Sequence, residues 1–391
     1  MNRVGKRFRG HYLPPLNAQL SHWILIMNPY KEFDTSKLHD NELKRYFASI
    51  MKTMKEVAFS IERGYGLPPH IKEIRPLFIE EKGFNAEADI IDGIAYIAIS
   101  ASVPLLLRVL FDILLSDSEV FPQLPQEESN IKVRYEAPFI FNPRPPFERK
   151  QFNIGLTIER ADAARILSDK CVKFIFLHEF GHMLCGHIET NRELNPDQPL
   201  FEFYGDTTES ETYEGLRRYW EYQADCISAD LLAQYIDTTV NHAHGAQKWI
   251  SKLIPEHEHD TNGIVKHVTG MTIAALNVLF MYMDNCRFDA NTRAYHPPVI
   301  TRMMYIKDSL FTSVGERHNL SPHALSEDYY DLYVEPFIFA MDKSGFNAAE
   351  LWNELHWDNA DTVLDELTND REKHRLRCRQ WSWLNVDEWG A

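Results

Sequence analysis

Cysteine is scarce in this 391-residue chain: there are five, at positions 171, 185, 226, 286 and 378. The count is odd and no two form a Cys-x-x-Cys pair, which argues against a disulfide framework and suits a reducing compartment. Excess positive charge is also lacking. Lys and Arg number 41 against 57 Asp and Glu, a formal net charge of −16. Phosphate binding needs a basic surface, so no nucleic-acid role is expected. Long apolar runs are missing as well. A spanning helix needs roughly 20 apolar residues. The run Ile94 to Leu107 is interrupted by Ser100, Ser102 and Pro104 and closed by Arg108, and Met271 to Met283 is short and contains Asn277. The first 20 residues hold Arg3, Lys6, Arg7 and Arg9 but no apolar h-region of a secretory signal. Internal repeats and low-complexity tracts are not evident. No membrane span is expected, and the chain reads as a soluble, cytoplasmic protein. Its 44% hydrophobic and 25% charged residues are ordinary for a globular fold, and its length allows two or three structural units.

What is present is His178-Glu179-Phe180-Gly181-His182, an HExxH signature. On a helix, two histidines four apart lie about 40° from one another, so both imidazoles reach one metal ion. Glu179 stands beside them as a base for a metal-activated water. The preceding residues, Ala161 to Leu177, read as helix, and Gly186 offers a stop soon after. A catalytic zinc site needs three protein ligands and an open position. His187 is one candidate, but its spacing fits no third-ligand pattern, and it is expected near the site rather than on the metal. Glu221 is the stronger candidate. It lies in Tyr219-Trp220-Glu221-Tyr222-Gln223-Ala224-Asp225, a segment that continues to Leu232 as an apolar-faced helix. Asp225 is four residues on, on the same face, and can accept the free N–H of a ligand histidine. The competing reading is a solvated Glu/Asp pair.

Cys171 and Cys185 are each seven residues from His178, and Cys226 follows Asp225. A thiolate can bind zinc, but small buried cysteines facing the core are the preferred reading. The segment Glu256-His257-Glu258-His259-Asp260 could hold a second metal. A solvated loop is preferred, because no spacing there selects a geometry.

HExxH followed by Glu-x-x-Ala-Asp on a second helix resembles the gluzincin metallopeptidases, most closely the CAAX-protease and HtpX-type branch. His296-Pro297-Pro298 with Arg302 is similar to the His-Pro-Pro segment and later arginine of that branch. The chain also resembles phage-exclusion proteases of the Lit type. The resemblance covers roughly residues 90 to 310 and rests on short motifs. It implies an α+β fold, predominantly helical, with a zincin-like core and a small sheet beside the active-site helix. It implies Zn2+ on His178, His182 and Glu221, with Asp225 and Arg302 supporting the ligands. It implies His296 near the reacting carbonyl; a turn histidine before two prolines is the alternative. It further implies an edge strand that pairs with the substrate backbone, for which Ala95–Ser100 and Phe152–Ile158 are both candidates.

Three regions are expected. Residues 1–150 open with a strand-like run from Trp23 to Met27. A charged helix follows from Asp40 to Arg63, then a helix from Val103 to Leu115 and a proline-rich loop from Ala137 to Phe147. Residues 151–310 carry the catalytic core, with a polar loop from Thr190 to Glu214 between the two site helices. Residues 311–391 read as helical at Ala348 to Leu355 and Thr362 to Cys378. Five tryptophans lie there: Trp352, Trp357, Trp381, Trp383 and Trp389. The expected function is a zinc endopeptidase acting on an intracellular protein or peptide, with a regulatory partner and a setting in stress or phage defence. The competing function is a metal-containing regulatory or binding module without proteolysis.

Overall fold

The computed structural model describes residues 30–38, 41–81, 83–126, 132–133, 154–194, 211–243, 248–286, 297–326, 329–348, 365–371, 379 and 381–383. The fold is α+β and predominantly helical, with a small three-stranded sheet. Helix α1 (Asn41–Tyr65) leads into β1 (Glu73–Ile79), β2 (Ala86–Ile91) and β3 (Ile94–Ser100), and then into α2 (Ser102–Leu114). A two-residue ladder of β4 (Lys132–Val133) and β5 (Ile154–Gly155) precedes α3 (Ile158–Leu184). Next come α4 (His187–Leu194), α5 (Glu211–Ala243), α6 (Lys248–Leu253), α7 (Thr261–Cys286) and α8 (Val299–His318). Short α9 (Pro322–Ser326) and α10 (Glu335–Lys343) follow, the latter entered through a π-turn at Tyr330–Val334.

The sheet order is β1-β3-β2. β3 runs parallel to β1, with Glu73 opposite Ile94 and Ile79 opposite Ser100. It runs antiparallel to β2 through the turn Asp92-Gly93, where both residues have positive φ as a type I′ hairpin requires. Because β3 is the middle strand, its side chains are buried on both faces. Ala95, Ile97 and Ile99 enter the main core, while Tyr96 and Ala98 join Leu77 and Ile79 on the other face. This corrects one expectation. Ala95–Ser100 has partners on both sides and offers no edge to a substrate. The other candidate stretch is divided: Ile154–Gly155 pairs with Lys132–Val133, Ile158 opens α3, and Phe152 and Asn153 lie outside the described residues.

The helices follow from their apolar spacing. In α1, Phe47, Ile50, Met54, Val57 and Ile61 recur every three to four residues and pack toward β1. By contrast, α3 is buried on nearly all sides, because α2, α5 and α7 surround it. Thr157 caps its start by accepting from Arg160 N at 3.3 Å. Gly186, at φ +72, ends it, as the sequence predicts. At that end Trp383 N and Ser382 Oγ both donate to Leu184 O, at 2.8 and 3.1 Å, satisfying a terminal carbonyl.

Other expectations are modified. The apolar run in Met271 to Met283 belongs to the 26-residue α7. Among the described residues α7 is the helix long and apolar enough to cross a membrane, yet 94% of its apolar window is buried within the protein. It is a core helix. The polar stretch from Thr190 is not all loop: α4 runs to Leu194 and α5 begins at Glu211, so residues 195–210, outside the described set, separate them. Of the two C-terminal segments expected as helix, residues 365–371 of Thr362–Cys378 are helical, and the rest of that segment, like residues 349–355 of Ala348–Leu355, lies outside the described residues. Trp381 and Trp383 pack edge-on against His70 and Phe180. The run Trp23–Met27, the loop Ala137–Phe147, Trp352, Trp357 and Trp389 lie outside the described residues. One cluster of buried apolar side chains extends from Phe33 to Leu367.

Candidate metal centre

Two helices build the site by lying unusually close. Gly181, inside the HExxH motif, faces Ala224 of α5: a Cβ added at Gly181 would sit 2.9 Å from Ala224 Cα. Small residues at both positions let the backbones nearly touch, so the motif histidines meet the α5 carboxylates directly.

His178 Nε2 lies 3.1 Å from His182 Nε2 and 3.4 Å from Glu221 Oε2, and His182 Nε2 lies 3.5 Å from Glu221 Oε1. Each of the three residues is no more than 3% exposed. They form a buried group that could hold a metal ion. Tetrahedral zinc with bonds of about 2.0–2.2 Å separates its ligand atoms by about 3.3–3.6 Å. The two Glu221 distances run to different oxygens of the carboxylate, and the three donors together, all within 4.8 Å of one another, are of the types that hold such an ion. Among the described residues no cysteine joins it. Cys171 is buried and donates to Ala275 O at 3.2 Å, and Cys185 is buried too. Around Glu256–Glu258, a 3₁₀ turn, no second metal-holding group occurs among the described residues.

A second layer of side chains holds this group in place. Asp225 accepts from His178 Nδ1 at 2.7 Å, which leaves Nε2 bare toward the ligand group. Arg302, from α8, donates to the same carboxylate from Nε at 2.7 Å and from Nη2 at 2.8 Å. Tyr305, one turn on, adds its hydroxyl at 2.7 Å. Burial opposes ionisation of Asp225, but Arg302 and then His178 outweigh it and hold the carboxyl below its usual range. Burial likewise opposes charge on Arg302, and Asp225 reverses that, raising it well above normal. The guanidinium also lies 4.7 Å above the Phe280 ring.

His182 has its own partner. Its Nδ1 is 2.9 Å from His187 Nδ1, and His187 Nε2 is 3.1 Å from Gln223 Oε1. Burial lowers His182 well below the ordinary histidine value and pushes His187 down to about 3. Both rings are therefore neutral at neutral pH, which for His182 is the form a metal ligand must take. His187 sits near the group but outside it, as its sequence position predicts. Glu179, one residue from His178, is also buried.

The structure thus brings together His178, His182, Glu221, Asp225 and Arg302, with Glu179 buried in the next position of α3. His296 lies outside the described residues. Pro298 precedes the first residue of α8 and so positions the helix that carries Arg302. Sequence reading misses the roles of Tyr305 and Gln223. Tyr305 could have been found by its three-residue spacing from Arg302 on one helix face. Gln223 gives no such signal. Comparison with family models, with curated proteins and with solved structures gave no match, so the assignment rests on the geometry of the site.

Proposed function

We propose that the chain is a zinc-dependent endopeptidase with a zincin-like core that cleaves an intracellular protein substrate. The observation that carries this reading is the convergence of His178 Nε2, His182 Nε2 and the Glu221 carboxylate in one buried group whose donor atoms lie within 4.8 Å of one another, with the motif glutamate next to His178 in the chain. Zinc bound there supplies a Lewis acid and brings the pKa of water toward about 7. Glu179 takes the proton from the attacking water and delivers it to the leaving amine. Asp225, Arg302 and Tyr305 keep His178 in the tautomer that bares Nε2. Among the described residues no strand pairs with the outer side of β2, which lies against α3, so an extended peptide has a backbone edge there. Stress or phage defence as the setting follows from the sequence resemblance.

The test combines metal analysis with a peptide-library digest. Wild type should carry about one zinc per chain, and Glu221→Ala should lose it or hold it weakly. Glu179→Gln should keep the metal and lose hydrolysis by at least about 100-fold. Wild type that binds zinc yet cleaves nothing the variant does not would leave a metal-holding regulatory module. Full hydrolysis by Glu179→Gln would refute the role given to Glu179.

A further inference from the structure

Whether His182 can bind metal depends on which ring nitrogen carries its proton, and a residue outside the ligand group decides that. A neutral imidazole has one N–H and one bare nitrogen. His182 and His187 meet Nδ1 to Nδ1 at 2.9 Å, so one donates and the other accepts. The far side of His187 determines which. Its Nε2 faces Gln223 Oε1 at 3.1 Å, and a carboxamide oxygen only accepts. His187 therefore carries its proton on Nε2, leaves Nδ1 bare, and accepts from His182 Nδ1. His182 keeps a bare Nε2, the atom that faces His178 and Glu221.

A reversed Gln223 amide would reverse the whole chain. Its NH2 would donate to His187 Nε2, His187 would donate from Nδ1, and His182 would carry its proton on Nε2. That proton would point into the ligand group, where a metal could not displace it without breaking the relay. Trp220 stacks on the His187 ring, centroids 5.2 Å apart and planes 19° apart, and holds its plane. Trp220, Glu221 and Gln223 all belong to one turn of α5, so docking that turn both supplies the third ligand and sets the tautomer of the second.

We propose that His187 is a positioning residue of the metal centre: held by Gln223, it fixes the Nδ1–H tautomer of His182 and presents Nε2 to the metal. The proposal rests on the metal-centre reading above, and the experiment separates the two. Zinc dissociation constants come from competition with a chromophoric chelator, and histidine tautomers from long-range 15N–1H NMR of metal-free and zinc-loaded protein. His187→Leu should weaken zinc about 10–100-fold, as loss of an outer-shell partner does. His187→Gln, which returns a carbonyl acceptor, should recover part of that loss. Gln223→Glu, which can only accept, should bind as tightly as wild type or tighter. NMR should place the proton of His187 on Nε2 and that of His182 on Nδ1 in the loaded protein. Equal zinc affinity in a folded His187→Leu, or a His187 proton on Nδ1 in loaded protein, overturns the proposal. If His187→Leu does not fold, the wild-type tautomers and Gln223→Leu decide in its place. Wild type that takes up no zinc overturns the metal-centre reading instead. The metal-free tautomers then still test the relay, a His187 proton on Nε2 supporting it and one on Nδ1 overturning it.

Discussion

Adding one methyl group at Gly181 tests how tightly the two site helices must pack. In Gly181→Ala the new Cβ would lie 2.9 Å from Ala224 Cα, 3.0 Å from Ala224 O and 3.3 Å from Ala224 Cβ. Carbon atoms in ordinary contact stand about 3.5–4.0 Å apart. The neighbours here are mostly backbone, so α3 and α5 must separate by about half an ångström. Two effects oppose one another. Alanine favours a helix interior over glycine by about 1 kcal/mol, and overpacking a tight contact costs about 1–3 kcal/mol. Stability should therefore fall by about 0–2 kcal/mol. Metal affinity should fall further, because ligand distances tolerate only about 0.2 Å, while His178 and His182 ride on one helix and Glu221 on the other. A tenfold or greater loss is expected, corresponding to about 1.4 kcal/mol. Gly64 is the control: it is exposed near the end of α1, and a Cβ there meets nothing within 4 Å. Gly64→Ala should be neutral or stabilising by up to about 1 kcal/mol. The assays are urea unfolding with chelator present and zinc competition. If Gly181→Ala gains stability as Gly64→Ala does and binds zinc as wild type does, the close-packing argument fails.

Arg302→Lys keeps a charge but loses the planar fork whose two nitrogens reach both oxygens of Asp225; zinc binding should weaken about tenfold, and an unchanged dissociation constant would contradict the orienting role given to Asp225. Lys170, buried on α3 with its ammonium 2.8 Å from Thr239 Oγ1, is pushed down to about 7 by burial, with Lys173 adding to the effect. A base whose folded pKa is depressed binds fewer protons folded than unfolded. It therefore destabilises the fold fully below pH 7, and the penalty fades as pH rises toward the ordinary lysine value. Lys170→Met should thus raise stability by more than about 1 kcal/mol at pH 6, with a gain that shrinks steadily by pH 9; denaturant unfolding at the two pH values that shows a pH-independent difference would refute this.

The sequence was legible wherever chemistry sits at helical spacing. His178 and His182, like Glu221 and Asp225, are four residues apart, so a helix alone sets each pair on one face. Gly186 ends α3 because positive φ suits glycine, a local property that needs no partner. The apolar period of α1 likewise follows from residue order. Where structure departs from such reading, pairing between distant segments is the cause. Ala95–Ser100 reads as a strand, but whether it is an edge or the middle depends on what lies beside it. β1 takes one side and β2 the other. The alternation of polar and apolar residues that marks an exposed strand vanishes once both faces are covered.

The site itself divides in the same way. The sequence by itself determined the donor types and their placement within each helix, because α-helical geometry is a short-range consequence of the backbone. Only the tertiary structure decided that the two helices meet, through Gly181 and Ala224, at a separation that gathers three donors within 4.8 Å of one another. It alone set Tyr305 and Arg302 on Asp225, and the Gln223–His187–His182 relay behind the ligands. Hydrogen bonds join atoms of any sequence separation within about 3 Å. Such distances are fixed only by how α3, α4, α5 and α8 pack around one buried centre.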